Sequence, residues 1–172
     1  KVAVIGSGPA GLTCASYLSL AGYDVDVFEK ENFTGGMMRY AIPDYRLPEE
    51  VLDDDIEDIK ESGVNIELNK ELGEDFDIQD LKDDGYESVF VAVGAQKDRR
   101  LNIPGEDADG VIHSLSFLRD IYEGKVESIG DKVVVIGGGF TAFDTDRTAK
   151  RLGAEEVMVA YRRSSDEMLA GI

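Results

Sequence analysis

Residues 1–30 read KVAVIGSGPAGLTCASYLSLAGYDVDVFEK. Val2-Ala3-Val4-Ile5 is an unbroken apolar run, the pattern of a parallel strand buried on both faces. A helix is expected over about Pro9–Ala21, stopped by Gly22, and a second strand over Val25–Phe28 that ends in Glu29. Between strand and helix stands Gly6-Ser7-Gly8-Pro9-Ala10-Gly11, a full GxGxxG. The first glycine allows a tight turn, the second lets a pyrophosphate approach the backbone, and the third lets helix and strand pack closely. The helix N-terminus then offers free N–H groups and a positive dipole end to phosphate. Glu29 follows Gly6 by 23 residues, near the ~20 expected of an acid that binds a ribose hydroxyl. A GxGxxG alone also serves as a plain turn. The strand before it, the helix after it and the acid at the next strand's tip favour a dinucleotide site.

The same grammar returns 131 residues later, where KVVVIGGG at 132–139 repeats KVAVIGSG at 1–8. Gly137-Gly138-Gly139-Phe140-Thr141-Ala142 is a GxGxxA variant, with a helix expected over Thr141–Leu152 and a strand over Glu156–Tyr161. Arg162 and Arg163 stand at the tip in place of an acid. Guanidinium pairs bidentately with phosphate, whereas a carboxylate repels it, so this turn should prefer a 2′-phosphorylated dinucleotide. The competing reading is a solvated strand end. The fold class expected from both copies is α/β, with two Rossmann-like dinucleotide-binding units in series.

Composition agrees with a globular chain. Of 172 residues, 42% are hydrophobic and 31% charged, and 36 acids against 18 bases give a net charge of −18. Such acidity argues against nucleic acid or an anionic membrane surface as the main partner, because both require clustered Lys and Arg. No apolar run approaches a membrane span. Cys14 is the only cysteine, so no intrachain disulfide, CxxC pair or thiolate cluster can form, which fits a reducing, cytoplasmic setting. The acidity is uneven. Residues 44–87 hold 18 acids and 4 bases, which reads as a solvated outer face, whereas 132–172 are neutral.

Between the copies, residues 30–48 form a turn-rich loop whose Met37, Met38, Tyr40 and Ile42 are too apolar for a plain surface loop. A helix from Glu49 to Gly63 carries an expected apolar stripe of Val51, Leu52, Ile56 and Ile59. Asp53-Asp54-Asp55 points in three directions and reads as solvated rather than metal-binding. A strand over Val64–Leu68, a short helix near Ile78–Lys82 and a buried strand over Ser88–Val93 follow. Lys97–Gly110 reads as an interdomain linker, and Ser114 as the cap of a helix to about Tyr122. His113, the sole histidine, has no evident base or metal partner. No nucleophile triad, HExxH or P-loop occurs, so chemistry must come from bound cofactors.

Taken in order, GSGPAGL, FEK, GGMMRYAIPDYRLP, VFVAVGA and VVVIGGGFTAFDTDRTAKRLGA–VMVAYRR resemble the glutamate synthase small-subunit family. That family includes the flavin/NADPH half of dihydropyrimidine dehydrogenase, and the resemblance covers essentially the whole chain. It implies an FAD-dependent NADPH oxidoreductase that takes hydride onto FAD and passes electrons to iron–sulfur clusters or a large catalytic subunit. Carried onto this sequence, Gly6, Gly8, Pro9, Ala10 and Gly11 would hold the FAD pyrophosphate, and Glu29 and Lys30 the adenosine end. Gly35, Gly36, Met37 and Arg46 would lie along the flavin, with Leu72 and Gly94 as backbone contacts elsewhere on the cofactor. Gly137, Gly139, Phe140, Thr141 and Ala142 would receive the NADPH pyrophosphate, and Arg162 and Arg163 its 2′-phosphate. Hydride transfer requires alignment rather than a side-chain acid or base, so no catalytic residue and no metal ligand is assigned.

The family's cysteine-rich N-terminal segment and its later return to the FAD domain have no counterpart in these residues. The expected division is therefore an N-terminal part of an FAD-binding domain over 1–110 and the truncated start of an NAD(P)H-binding domain over 111–172. A piece of this kind can be inactive by itself. Two other readings are a non-catalytic nucleotide-binding scaffold within an electron-transfer complex and a thioredoxin-reductase-type disulfide reductase. The second is disfavoured by the missing CxxC.

Overall fold

The apolar runs become strands because each pairs in parallel with at least one neighbour. A computed structural model describes residues 1–169; residues 170–172, the end of the expected second domain, lie outside them. The order is β1 (Val2–Ile5), α1 (Pro9–Leu20), β2 (Val25–Glu29), α2 (Met37–Tyr40), α3 (Glu49–Glu61), β3 (Asn65–Leu68), α4 (Ile78–Asp83) and β4 (Ser88–Val91). Then come α5 (Ser114–Tyr122), β5 (Lys132–Ile136), α6 (Phe140–Arg151), β6 (Glu156–Ala160) and a 3-10 turn, Ser165–Glu167. The chain divides into two compact units, one of Lys1–Arg39 with Asp44–Ala95, the other of Tyr40–Pro43 with the chain from Gln96 onward. The boundary expected at residue 110 thus falls inside the second unit.

The first unit is a four-stranded parallel sheet in the order β3-β2-β1-β4. In register, Val2 and Ile5 lie opposite Val25 and Phe28 on one side and Ser88 and Val91 on the other. On one face Val4, Ala15, Val25, Val27 and Val64 pack together; on the other, Ala3, Ile5, Phe28, Leu81 and Tyr86 do so. Leu12 joins Leu52 and Ile56 to clamp α1 against α3. Val51 is half exposed and leaves the expected α3 stripe, because Leu52 and Ile56 already fill the face toward α1. The last expected strand is also corrected. Among the described residues β4 pairs only with β1, at the sheet edge, and Phe90, Val91 and Val93 are largely exposed rather than buried.

Asp26 is one of two buried acids in β2, the other being Glu29 at its tip. The Asp26 carboxylate accepts from Lys1 Nζ at 2.8 Å, Tyr86 Oη at 2.6 Å and Asn65 Nδ2 at 2.9 Å. Burial alone would raise its pKa, but the hydrogen bonds from Lys1, Tyr86 and Asn65 outweigh it and hold the carboxyl below the ordinary carboxylate value.

The second unit pairs β5 with β6 in parallel, Lys132 opposite Glu156 and Ile136 opposite Ala160. Phe117 and Leu118 of α5 pack with Ala149 of α6 against Val133 and Val157. The expected linker 97–110 is an ordered, self-bonded loop. Glu106 accepts the N–H groups of Leu101 and Asn102, both at 2.7 Å, and these backbone donors hold its carboxyl below the usual range. Ser114 does not cap α5. Asp98 does so from a distance, accepting from the N–H of Leu115 at 3.0 Å and of Ser116 at 3.3 Å. Residues 37–40, expected as loop, close into the short α2. Among the described residues no helix is long and apolar enough to cross a membrane.

Candidate functional site

Each glycine turn links the C-terminal end of its first strand to a helix. In the first, Gly6 has φ +103°, and a Cβ there would lie 2.6 Å from the Ala92 carbonyl oxygen, just past β4. A Cβ on Gly11 would drive into the Gly6 carbonyl itself. The first and third glycines are therefore demanded by backbone approach. Gly8 is different. It is extended, caps α1 without a side chain, and a Cβ there would meet nothing within 4 Å. The space ahead of α1 is open.

The loop after β2 folds onto this turn. Gly35 donates its N–H to the Ser7 carbonyl at 3.0 Å, and a Cβ on Gly36 would sit 3.0 Å from Gly8 Cα. Arg39 holds the loop from behind, donating Nε to the Thr34 carbonyl at 3.0 Å and pairing with Asp53 of α3. That pairing keeps the Asp53 carboxyl below its ordinary value and gives one member of the acidic run a structural partner. Glu29, at the tip of β2, is buried. Its Oε2 accepts from Ser7 N at 2.7 Å and Ser7 Oγ at 2.6 Å, and its Oε1 from Glu31 N at 3.0 Å. A carboxylate offers about four lone-pair positions, so Glu29 braces the turn and retains capacity for a further donor.

Gly6, Gly8, Pro9, Ala10, Gly11, Glu29, Gly35 and Gly36 are thus assembled at one end of the sheet. Met37 begins α2 directly behind Gly36, Lys30 is exposed just past Glu29, and Gly94 follows Ala92 in left-handed backbone at φ +71°. Arg46 lies exposed in the stretch leading to α3. Leu72, partly buried, packs against the Ala3, Ile5 and Phe28 cluster.

The second turn has the same plan. Gly139 is extended, caps α6 without a side chain, and leaves open space where a Cβ would be. Phe140 and Thr141 are exposed at the start of α6. Ala142 stands where the first copy has Gly11, and a Cβ on Gly137 would come within 3.0 Å of the Ala142 methyl. Ala160 replaces Glu29, so the tip of β6 offers no carboxylate to this turn. Tyr161 turns back instead, with ring atoms 2.6–2.8 Å from where a Cβ on Gly138 would lie. Arg162 and Arg163 follow, exposed and without a salt bridge among the described residues.

Electrostatics separate α1 and α6 from the other long helices. Neither carries a side-chain cap or an acidic residue in its first turn. By contrast α3 opens on Glu49 and Glu50, α4 is closed by Asp77, and α5 by Asp98. The first N–H groups of α1 and α6 have no intrahelical acceptor, and with the dipole they suit an anion. Sequence reasoning missed three supporting groups: the Ser7 hydroxyl, Arg39 and Tyr161. Only for Ser7 was there a signal, a hydroxyl inside the glycine turn.

A sequence model of one family, described as pyridine nucleotide-disulphide oxidoreductase, matches residues 1–167. The chain is 43% identical over 177 residues to the NADPH-Fe(3+) oxidoreductase subunit beta of Geobacter sulfurreducens, covering 100% of this chain and 26% of that protein. It is 40% identical over 181 residues to the glutamate synthase [NADPH] small chain of Escherichia coli, covering 98% and 38%. The chain thus spans about a quarter to two fifths of these relatives. Among solved structures, Mycobacterium tuberculosis FprA in complex with NADPH matches with a TM-score of 0.82 and 26% identity, over 97% of this chain and 44% of FprA.

Proposed function

The chain belongs to the pyridine nucleotide-disulphide oxidoreductase family, and on that premise we propose that it is the FAD-binding turn and the opening of the NADP(H) site of an electron-transferring flavoprotein. The observation that carries this reading is one turn built twice with opposite chemistry at its tip. In the first copy Glu29 supplies a carboxylate able to accept from ribose hydroxyls; in the second two free guanidiniums replace it.

Within the first unit, Gly8, Ala10 and Gly11 would receive a pyrophosphate at the head of α1, with Pro9 shaping the first helical position. Glu29 and Lys30 would meet the adenosine end. Gly35, Gly36 and Met37 would form the wall next to the turn, with Arg46, Gly94 and the Leu72 backbone further along the cofactor. In the second unit, Gly137, Gly139, Phe140, Thr141 and Ala142 would form the phosphate turn, and Arg162 and Arg163 would grip the 2′-phosphate. Bound FAD supplies the hydride-accepting chemistry that no side chain here provides. The chain's own residues bind and orient. Electrons would leave toward iron–sulfur clusters or a large catalytic subunit outside these residues.

Two measurements test the reading in the complete natural polypeptide. It should show a flavin spectrum bleached faster by NADPH than by NADH, and a colourless protein that FAD cannot reconstitute would refute it. Steady-state NADPH oxidation with a dye acceptor separates it from a non-catalytic scaffold, which would show no turnover. Disulfide reduction within this chain finds no support, since Cys14 stands alone.

A further inference from the structure

The backbone that carries Arg162 and Arg163 is tied to the second glycine turn, and the tie runs through Tyr161. Its ring occupies the space against the bare Cα of Gly138, where ring atoms would lie 2.6–2.8 Å from any Cβ. Its Oη donates to the Glu167 carbonyl at 3.3 Å. Glu167 closes the intervening loop, its Oε2 accepting from Ser164 Oγ at 3.1 Å and Ser164 N at 3.3 Å. The Leu169 N–H then donates to the Gly138 carbonyl at 3.2 Å. Residues 161–169 therefore leave from Gly138 and return to it, and the two arginines are the first exposed residues of that closed loop. The position that corresponds to Tyr161 in the first copy is Lys30, which is exposed and pairs with Glu31 at 3.8 Å.

Resting on the NADP(H) reading above, we propose that Tyr161 is a positioning residue for 2′-phosphate selectivity. By seating on Gly138 it holds the arginine-bearing backbone at a set distance from the phosphate turn. Guanidinium–phosphate pairing is directional, and ordering long side chains on binding costs affinity that a pre-set backbone avoids. Only a nucleotide with a 2′-phosphate uses the arginines, so only that nucleotide feels the loss of the brace.

The test uses the complete natural polypeptide with a dye acceptor, together with direct binding of 2′,5′-ADP and 5′-AMP. Tyr161→Ala should raise the NADPH KM and the 2′,5′-ADP Kd about three- to tenfold, the range expected when ordered side chains are released. The NADH KM, the 5′-AMP Kd and kcat should stay at the parent values. Tyr161→Phe should restore NADPH binding, because the ring and not the long hydroxyl contact does the seating. Tyr161→Leu, which keeps an apolar side chain but has no ring to seat on Gly138, should reproduce the selective loss if Tyr161→Ala does not fold. In an Arg162→Ala/Arg163→Ala background, Tyr161→Ala should add nothing. Equal losses for both nucleotides, or no loss for either, overturn the positioning role while leaving the site reading intact. If the arginine pair itself proves neutral toward NADPH, the site reading fails and the proposal fails with it.

Discussion

The two glycine turns share a backbone plan and differ in what closes them. In the first, Gly11 lies so close to Gly6 that no side chain fits, and a buried carboxylate, Glu29, binds the Ser7 amide and hydroxyl. In the second, Ala142 is accommodated and an aromatic ring lies on Gly138. One turn is braced by hydrogen bonds to an acid and the other by packing. The acid suits free ribose hydroxyls; its absence beside two arginines suits phosphate. The contrast extends to the far end of each strand pair. Lys1 pairs with Asp26, whose buried carboxylate has two further partners, whereas Lys132 pairs at 3.2 Å with Glu156, both exposed.

The strongest way to break this contrast is to exchange the third glycine positions. Gly11→Ala should destabilise the first unit by about 3 kcal/mol or more, through overpacking against backbone, and abolish flavin retention, whereas Ala142→Gly should cost no more than about 1 kcal/mol. Thermal melts and flavin titration compare them. Next, Arg162→Ala/Arg163→Ala should weaken NADPH about a hundredfold, as loss of charge-assisted phosphate bonds implies, and leave NADH unchanged in kcat/KM. Glu29→Ala should cost about 2 kcal/mol by stranding the buried Ser7 donors; denaturant titration against Glu29→Gln reads the difference.

Asp26→Ala should cost about 2 kcal/mol, since it unpairs Tyr86 and Asn65 as well as Lys1, while Glu156→Ala should cost less than about 0.5 kcal/mol. The pH dependence follows from the same pair. Asp26 has a depressed pKa when folded, so its contribution is present above the unfolded value of about 3.9. On acidification the unfolded chain takes up the proton first, and the contribution is lost as pH falls through the folded pKa. Parent and Asp26→Asn melting curves should approach one another as pH falls below the unfolded carboxyl value and meet only below the depressed folded one, if this carboxylate is the source.

Both turns were legible in the sequence because everything that makes them is local: an apolar run, glycines at set spacing, a helix, a second run. The helices and parallel strands followed for the same reason. Other elements were misjudged where the deciding neighbour is far along the chain. Ser88–Val93 reads as a buried strand by composition, yet it lies at the sheet edge because, among the described residues, only β1 flanks it. Val51 fits the α3 period, but the contact with Leu12 falls on Leu52 and Ile56. Ser114 is a good cap by type, but Asp98 already supplies the oxygen. Residues 97–110 look like a linker until Glu106 is seen holding two of their amides.

From the sequence alone came the fold class, the repeat, the glycines and the change from acid to arginine at the strand tips. These depend on spacing and residue type, which the covalent chain carries directly. Only the tertiary structure decided that Glu29 braces Ser7, that Asp26 is matched by three donors, and that Tyr161 lies on Gly138. Each joins residues more than twenty positions apart, and nothing in the local pattern determines which side chain reaches a given turn once the strands are laid side by side.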